Sequence, residues 1–355
     1  MKLLIGEASS YKAITIARFL KRWYDVTIIS YDFNAAFRSV HSRWFDKVII
    51  LPGAAKDKAL LVNELSRIIG GENIEWFFPV NSAHIGEFIA ARDRFEGTLD
   101  YLGTLGSYRL LNNKSSLAGL AGPLDIRIPE LYYDPAKFEY PLVAKPMEGA
   151  SAKGVFYLHS PKDLADHAEK FKGGNYLFQE YVKGAGAGYS VFAKNGVILK
   201  GYGHIRLGEY PATGGSSVFR GGYENRCMAE TAALLVKTTN WSGFAMVEFK
   251  IDDTGDPVLI EVNPRIWGSV NQGLQAGCNY FEPLLGKPKK EIPQNPRGTS
   301  YLSPLVYLSL FSYLRMGRFA EIKRFITTRR KRADVSLTGD PGGYLSTIYR
   351  KILPK

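Results

Sequence analysis

The stretch EFKIDDTGDPVLIEVNPRIWGS, Glu248 to Ser269, holds two carboxylates, an amide and a guanidinium at spacings suited to charge chemistry. Its polar run DDTGD contains a glycine and lies between two apolar runs, which reads as the turn of a β-hairpin with arms AMVEFKI and VLIEVNP. With the turn centred between Thr254 and Gly255, Glu248 faces Glu261, an arrangement that like charges disfavour. Side chains two apart on a strand share a face, so Asn263 joins them. Two carboxylates and an amide oxygen form a hard-oxygen set suited to Mg²⁺, with phosphate oxygens completing the octahedron. A solvated hairpin with surface acids would carry the same residues. The apolar company on both arms argues for a buried sheet instead, where carboxylates need partners. Pro264 ends the ladder and sends Arg265 off beside the acids. There it could hold phosphate or carboxylate oxygens bidentately and stabilise developing charge, or close a structural salt bridge.

Other groups carry the same kind of signal. PLVAKP sets Lys145 among apolar neighbours on a strand, and a buried lysine calls for an anion. The loop MEGASAKGV follows at once, with Gly149, Ser151 and Gly154 letting backbone amides approach phosphates closely, although an ordinary hairpin turn has the same composition and no Walker A pattern is present. YLFQEYVKGAG offers Gln179, Glu180, Tyr181 and Val182, either a hinge whose backbone reads an adenine edge or an edge strand entering a loop. In GYGHIRLGEYPATGGSS, Arg206 could bind a substrate carboxylate or a γ-phosphate and TGGSS could supply amide donors, while His204 reads equally as a core histidine. Asn81, Ser82 and His84 in PVNSAHIGE are candidate substrate-lining residues, and helix capping explains the serine as well.

The elements that must position these groups change along the chain. Up to about residue 100, KLLIG, YKAITIARFLKRWY, VTIIS, KVIIL, KALLVNELSRIIG and WFFPV alternate strand-like and helical patterns, which predicts βαβ units and a parallel sheet. The turn GEASSYK is not G-x-G-x-x-G, and Asp32 is a weak substitute for a ribose-binding acid, so a dinucleotide site is disfavoured. From Gly103 a helical stretch SYRLLNNKSSLAGLA leads through GPLDIRIP into β-rich segments, with helical runs at Pro161–Phe171 and Asn225–Thr239. The boundaries expected are an N-terminal α/β domain over 1–102, an α+β domain over 103–285, and a basic, partly helical extension over 286–355.

Composition narrows the class. A chain of 355 residues, 45% apolar and 23% charged, is globular and long enough for two or three domains. Two distant cysteines, Cys227 and Cys278, argue against a disulfide framework and for a reducing cytoplasm. The apolar start KLLI is too short for a signal peptide core and reads as a first strand. The net charge is +12, but Gly286–Lys355 carries fifteen Lys or Arg against four Asp or Glu, so the body is nearly neutral. There LVYLSLFSYL, too short to span a bilayer, precedes RMGRFAEIKRFITTRRKR, in which Phe319, Ile322, Phe325 and Ile326 recur at helical spacing. Such a helix either docks on the body with its basic face in water or meets an anionic membrane or substrate, making 304–332 a candidate for peripheral membrane contact. Nucleic acid is disfavoured, because the run lacks a repeated aromatic stacking platform.

Taken in order, Lys114 in LLNNKSSL, Lys145 in VAKP, the loop GASAKG, the hinge QEYV, Glu248 and EVNPR resemble the ATP-grasp superfamily over roughly Gly103 to Leu285. The string EVNPRIWGSVNQGLQAGCNY is the most specific part, and it is similar to carbamoyl-phosphate synthase large-subunit-like and D-aspartate ligase-like members. The resemblance implies a two-subdomain ATP-grasp fold behind an α/β domain. It implies Lys114 and Lys145 on nucleotide phosphates, a flap over 149–154, Gln179 at the adenine amino group and Tyr181–Val182 as the backbone hinge. It further implies Glu248, Glu261 and Asn263 as Mg²⁺ ligands, with Mn²⁺ as the alternative ion, and Arg265 on an acyl-phosphate. A ribose-binding acid is missing from GAGAGYS. The activity implied is a cytoplasmic, ATP-dependent carboxylate–amine ligase using about two Mg²⁺ and small-molecule or lipid-linked substrates, with a homodimer as a candidate assembly. A nucleotide-binding module without ligase activity, or a binder of membranes or anionic polymers using the basic helix, is the alternative.

Overall fold

The computed structural model describes residues 1–149, 154–212 and 214–353. Its first sheet is parallel: β1 (Lys2–Ile5), β2 (Thr27–Asp32), β3 (Lys47–Ile50) and β4 (Trp76–Phe78) in the order β3-β2-β1-β4. The helix Tyr11–Trp23 buries Ala13, Ile16, Ala17 and Leu20, the residues that the sequence spaces along one helical stripe. Because β2 and β4 lie on opposite sides of β1, the chain reverses direction there, which opens a crevice at the strands' carboxyl ends. Glu7 after β1 and Asn81 after β4 meet in it, the Asn81 amide donating to the Glu7 carboxylate. Asp32 instead closes the first turn, accepting the Ser9 and Phe33 amides at 2.8 and 2.9 Å.

The second sheet is antiparallel, with β5 (Leu131–Tyr132), β6 (Leu142–Pro146), β7 (Phe156–Leu158) and β8 (Tyr176–Glu180) in the order β5-β8-β6-β7. The third has seven strands: β9 (Ala185–Lys194), β10 (Val197–Tyr210), β11 (Ser216–Gly222), β12 (Gly243–Ile251), β13 (Pro257–Asn263), β14 (Thr299–Tyr301) and β15 (Arg332–Ala333). Their order is β13-β12-β9-β10-β11-β14-β15. Asn195 and Gly196, both at positive φ, form the tight turn between β9 and β10. The expected single helix SYRLLNNKSSLAGLA is two, Leu105–Asn112 and Lys114–Ala121. Asn113 breaks it: its side chain accepts the Ser115 and Ser116 amides, capping the second helix and leaving Lys114 in that helix's first turn.

The C-terminal segment is helical, as expected, but also adds β14 and β15 to the large sheet. The helices Leu305–Arg315 and Phe319–Thr327 pack on it around Val218, Phe219, Leu302, Val306 and Phe325. Gly317, at φ +68°, separates them. Asp334 is fully buried against Arg220 at 2.6 Å and accepts from Asn271 at 2.8 Å. The helix Pro341–Ile352, which the sequence reading did not anticipate, carries Arg350 back to the first sheet, where its guanidinium meets Glu7 and the Ser9 hydroxyl.

The hairpin of β12 and β13 forms as expected, with one difference in register. Its turn centres on Thr254, so Ile251 pairs with Pro257, Lys250 with Val258 and Phe249 with Leu259. Continued unchanged, this register would set Glu248 against Ile260 and Glu261 against Val247, on the opposite face. One extra residue, Ile260, is inserted as a β-bulge, after which Glu248 pairs with Glu261.

Between the small and large sheets the chain turns at Gly184, whose φ is +146°. A Cβ there would lie 2.0 Å from the Ile251 carbonyl oxygen. Gly184→Ala is expected to lower stability by about 2–4 kcal/mol in urea unfolding, by forcing this crossing apart.

Candidate active site

The bulge brings Glu248 and Glu261 onto one face, and Asn263 stands between them. Its Nδ2 donates to Glu248 Oε1 at 3.0 Å and to Glu261 Oε1 at 3.2 Å, while Arg265 donates to its Oδ1. Cations hold the outer oxygens: Arg206, on β10, bonds Glu248 Oε2, and Lys114 Nζ lies 3.1 Å from Glu261 Oε2. Lys145 reaches across from β6 to the Ile260 carbonyl at 3.1 Å, which fastens the bulge to the small sheet. The like-charge contact is therefore wedged by an amide and flanked by cations. The two carboxylate side chains keep 16% and 22% exposure, so they remain open to the cleft.

The glycines of the GAGAG run meet different neighbours. A Cβ on Gly186 would sit 2.7 Å from Arg206 Cδ and one on Gly188 2.7 Å from His204 Cε1, so glycine at these positions lets both side chains lie across the strand. Arg206 also meets Glu209 at 3.3 Å. Residues three apart on a regular strand point to opposite faces, but irregularities at Gly208 bring this pair together. The sequence reading missed Glu209; the isolated Gly208 within a strand was the available signal.

Electrostatics separates the two acids. Burial pushes the Glu248 carboxyl up, Arg206 opposes this, and Glu261 pushes it further up. For Glu261 burial acts the same way, but Lys114 and Lys145 outweigh it and hold the group below the usual carboxylate range. Burial drives the Lys145 ammonium down to about 8 against the pull of Glu261. Arg206 is held above its ordinary value, burial being outweighed by Glu248 and Glu209. His204 is not a base here: burial, Arg206 and Arg220 drive it to about 3, and its neutral ring packs beside the Ser269 hydroxyl at 3.2 Å. Burial raises the Cys278 thiol to about 11, so it offers no thiolate nucleophile.

Beside the charged cluster runs a slot lined by Leu117, Ile128, Leu131, Leu177, Leu259 and Gln179, with Lys114 and Lys145 also lining it. Gln179 is buried in the middle of the small sheet, between β5 and β6. Glu180 turns away and accepts the Glu130 amide at 3.2 Å. Tyr181 and Val182 leave the strand as the connection to β9, and the Tyr181 ring packs edge-on to Tyr157. Gly149 and Gly154, both at positive φ, flank the loop after β6. Ser151 lies outside the described residues, as does Thr213 of TGGSS.

Asn81 stands in the crevice of the first sheet, and His84 is buried as the residue preceding the helix Ile85–Ala90. Lys12 donates to the Val80 carbonyl there, and burial together with Arg265 drives its ammonium to about 7. Arg265 is itself held by the Asn263 amide oxygen and, at 3.3 Å, the Ile266 carbonyl. Glu7, Lys12 and Arg350 were not singled out from the sequence, because only the folded chain brings residues so far apart together.

Among the described residues no three His, Cys, Asp or Glu side chains cluster as a metal cage. The donor set of Glu248, Glu261 and the Asn263 amide fits a hard divalent ion that takes its remaining ligands from phosphate and water. Such an ion would need the amide oxygen of Asn263 where its nitrogen now faces the acids.

Residues 115–269 match the family model described as an ATP-grasp domain. Among solved structures, the chain is similar to Rhizobium etli pyruvate carboxylase at TM-score 0.61 and 18% identity, covering 79% of this chain and 28% of the other. It is also similar to the biotin carboxylase domain of Hydrogenobacter thermophilus 2-oxoglutarate carboxylase, solved with MgADP and bicarbonate (TM-score 0.65, 12% identity, covering 84% and 73%). A third likeness is to L-amino acid ligase from Bacillus licheniformis (TM-score 0.53, 16% identity, covering 76% and 68%). At these identities the structures share the fold.

The depressed Lys145 makes stability depend on pH. Between about pH 8 and 10.5 the unfolded lysine stays protonated while the folded one does not, so the folded state gains as pH rises. Relative to Lys145→Met, the nucleotide-free protein should gain on the order of 2–3 kcal/mol across that window in urea unfolding. Parallel pH profiles for the two proteins would refute this burial effect.

Proposed function

We propose, from the premise that residues 115–269 form an ATP-grasp domain, that this chain is an ATP-dependent ligase joining a carboxylate to an amine through an acyl-phosphate. The observation that carries this reading is the convergence of Glu248, Glu261 and Asn263 with two lysines from the facing subdomain and with Arg265. The purine is assigned to the apolar slot that Gln179 lines, with Tyr181–Val182 as the backbone hinge. Lys114 and Lys145 then neutralise the phosphates. Mg²⁺ held by Glu248, Glu261 and Asn263 would screen the β- and γ-phosphate oxygens. Arg206 keeps Glu248 in place.

In the first half-reaction, a substrate carboxylate oxygen attacks the γ-phosphorus; the bond to the β,γ-bridging oxygen breaks and ADP leaves. In the second, the amine attacks the acyl carbon and phosphate departs with the electron pair of the C–O bond, while the amine proton passes to solvent or phosphate. Arg265 is positioned to take up charge on the acyl-phosphate and on the oxyanion that follows. Neutral His204 and protonated Cys278 leave no competing covalent route through those side chains.

In this reading the division is 1–102, 103–285 and 286–355, the last segment lending β14 and β15 to the large sheet of the second and the first presenting its crevice at Asn81 and Lys12 to the substrate. The MgADP reported for the Hydrogenobacter thermophilus domain supports ATP and Mg²⁺ here, with Mn²⁺ as a substitute. A lipid-linked acceptor and a membrane-peripheral location would suit the basic segment 304–332.

The test is ADP release against pools of carboxylates and amines. Glu261→Gln should lower turnover by at least ~10²-fold, and Arg265→Met should lower kcat by ~10²–10³-fold with ATP binding retained. Turnover that survives Glu261→Gln would remove the metal assignment. ATP binding with no ADP release across a broad panel would favour a nucleotide-binding module.

A further inference from the structure

We propose that the outer face of the helices Leu305–Arg315 and Phe319–Thr327 is a docking surface for an anionic lipid bilayer. The inference rests on this face alone and not on the ligase chemistry. The sequence stripe Phe319, Ile322, Phe325, Ile326 does not all turn inward: Phe325 is buried, but Phe319 and Ile326 are 63% and 69% exposed. On the preceding helix Tyr307, Leu308, Phe311 and Leu314 are exposed in one stripe, opposite the buried Val306, Ser309 and Tyr313. Both helices turn their buried sides to the same small core, so their apolar outer faces point away from the body together. Exposed aromatic and aliphatic side chains of this size, gathered on one face, mark an interaction site.

Charge selects the occupant. Residues 305–332 hold eight Lys or Arg against one Glu, and Arg315, Lys323, Arg324, Arg329 and Arg330 are exposed around the apolar stripe. A second copy of the chain would bring two such basic rims together and be repelled. An anionic bilayer answers both features, accepting the apolar side chains at the acyl boundary while its headgroups pair with the rim. Among the described residues no helix is long and apolar enough to cross a membrane, and the proposed contact is made by the outer faces of two short helices. The surface is preformed: Ser309 donates to the Glu209 carbonyl at 2.6 Å, and the Tyr313 hydroxyl accepts the Glu209 amide at 2.8 Å. Docking would therefore hold the back of β10 at the membrane, with Arg206 of the cleft three residues away along the same strand.

The test is co-sedimentation of the full chain with phosphatidylglycerol-containing vesicles and with pure phosphatidylcholine vesicles. At about 0.1 M salt the anionic vesicles should bind at least ~10-fold more protein, and the difference should shrink towards 1 M salt. Phe311→Ser with Phe319→Ser should weaken binding by at least ~10-fold, and Lys323→Glu with Arg324→Glu should do so by more. Unchanged thermal melting and ATP binding in both variants would separate loss of docking from misfolding. Equal binding to both vesicle types, or none to either, would overturn the proposal. So would a concentration-dependent dimer abolished by the Phe311 and Phe319 changes, because the face would then belong to a second copy. Failure of ligase activity leaves this measurement untouched, and failure of docking leaves the ligase reading untouched.

Discussion

One inserted residue decides which side chains share the charged face of the β12–β13 hairpin. The turn at Thr254 starts the hairpin in a register that would turn Glu261 and Asn263 away from Glu248. The bulge at Ile260 reverses that assignment within one step of the strand. Without it, Lys114 would lose its anion, Arg265 its amide partner and Glu248 its bridge to Asn263. Lys145 binds the carbonyl of the bulged residue itself, so the small sheet contacts the large one at the point where the register changes. The register change and a hydrogen bond between the two sheets thus fall on the same residue.

The sequence foresaw the facing carboxylates for a reason that was partly wrong. A turn centred one half-step later than the observed one gives the same Glu248–Glu261 pairing without a bulge, and the like-charge contact looks identical either way. Nothing in VLIEVNP marks Ile260 as the extra residue, because it carries no glycine or proline and its apolar neighbours suit either face. By contrast, the parallel first sheet was readable from its alternating runs, and Lys145 from its apolar flanks. The split at Asn113 was legible in principle, as Asn is a capping residue, yet an apolar period running through it masked the break. Glu7, Lys12 and Arg350 lay beyond local reading: each is unremarkable in its own segment, and only the topology assembles them.

The same reasoning explains the tail. Its charge was plain in the sequence, but charge alone could not say that β14 and β15 complete the large sheet or that Asp334 is buried against Arg220. Breaking such a buried pair from one side costs about 3–5 kcal/mol, since the remaining charge stays unsolvated. Residues 299–335 therefore belong to the structural frame of the cleft. Ser309 and Tyr313 reinforce the point by holding the backbone of Glu209, whose side chain in turn holds Arg206.

Burial sets two groups of the cluster against their own charges. Glu248 is pushed towards its protonated form and Lys145 towards its neutral one, both mainly by burial. A ligand carrying phosphate charge beside Lys145 would restore its ammonium, and divalent cations beside Glu248 would restore its carboxylate; neither alone serves both groups. A ligand that brings charge of both signs would therefore suit the pair better than either ion alone. Asn263 sits at the centre of this arrangement, its amide nitrogen donating to both acids while its oxygen accepts from Arg265. The protein therefore holds its like charges apart with a hydrogen-bond donor whose acceptor end is itself fixed by Arg265.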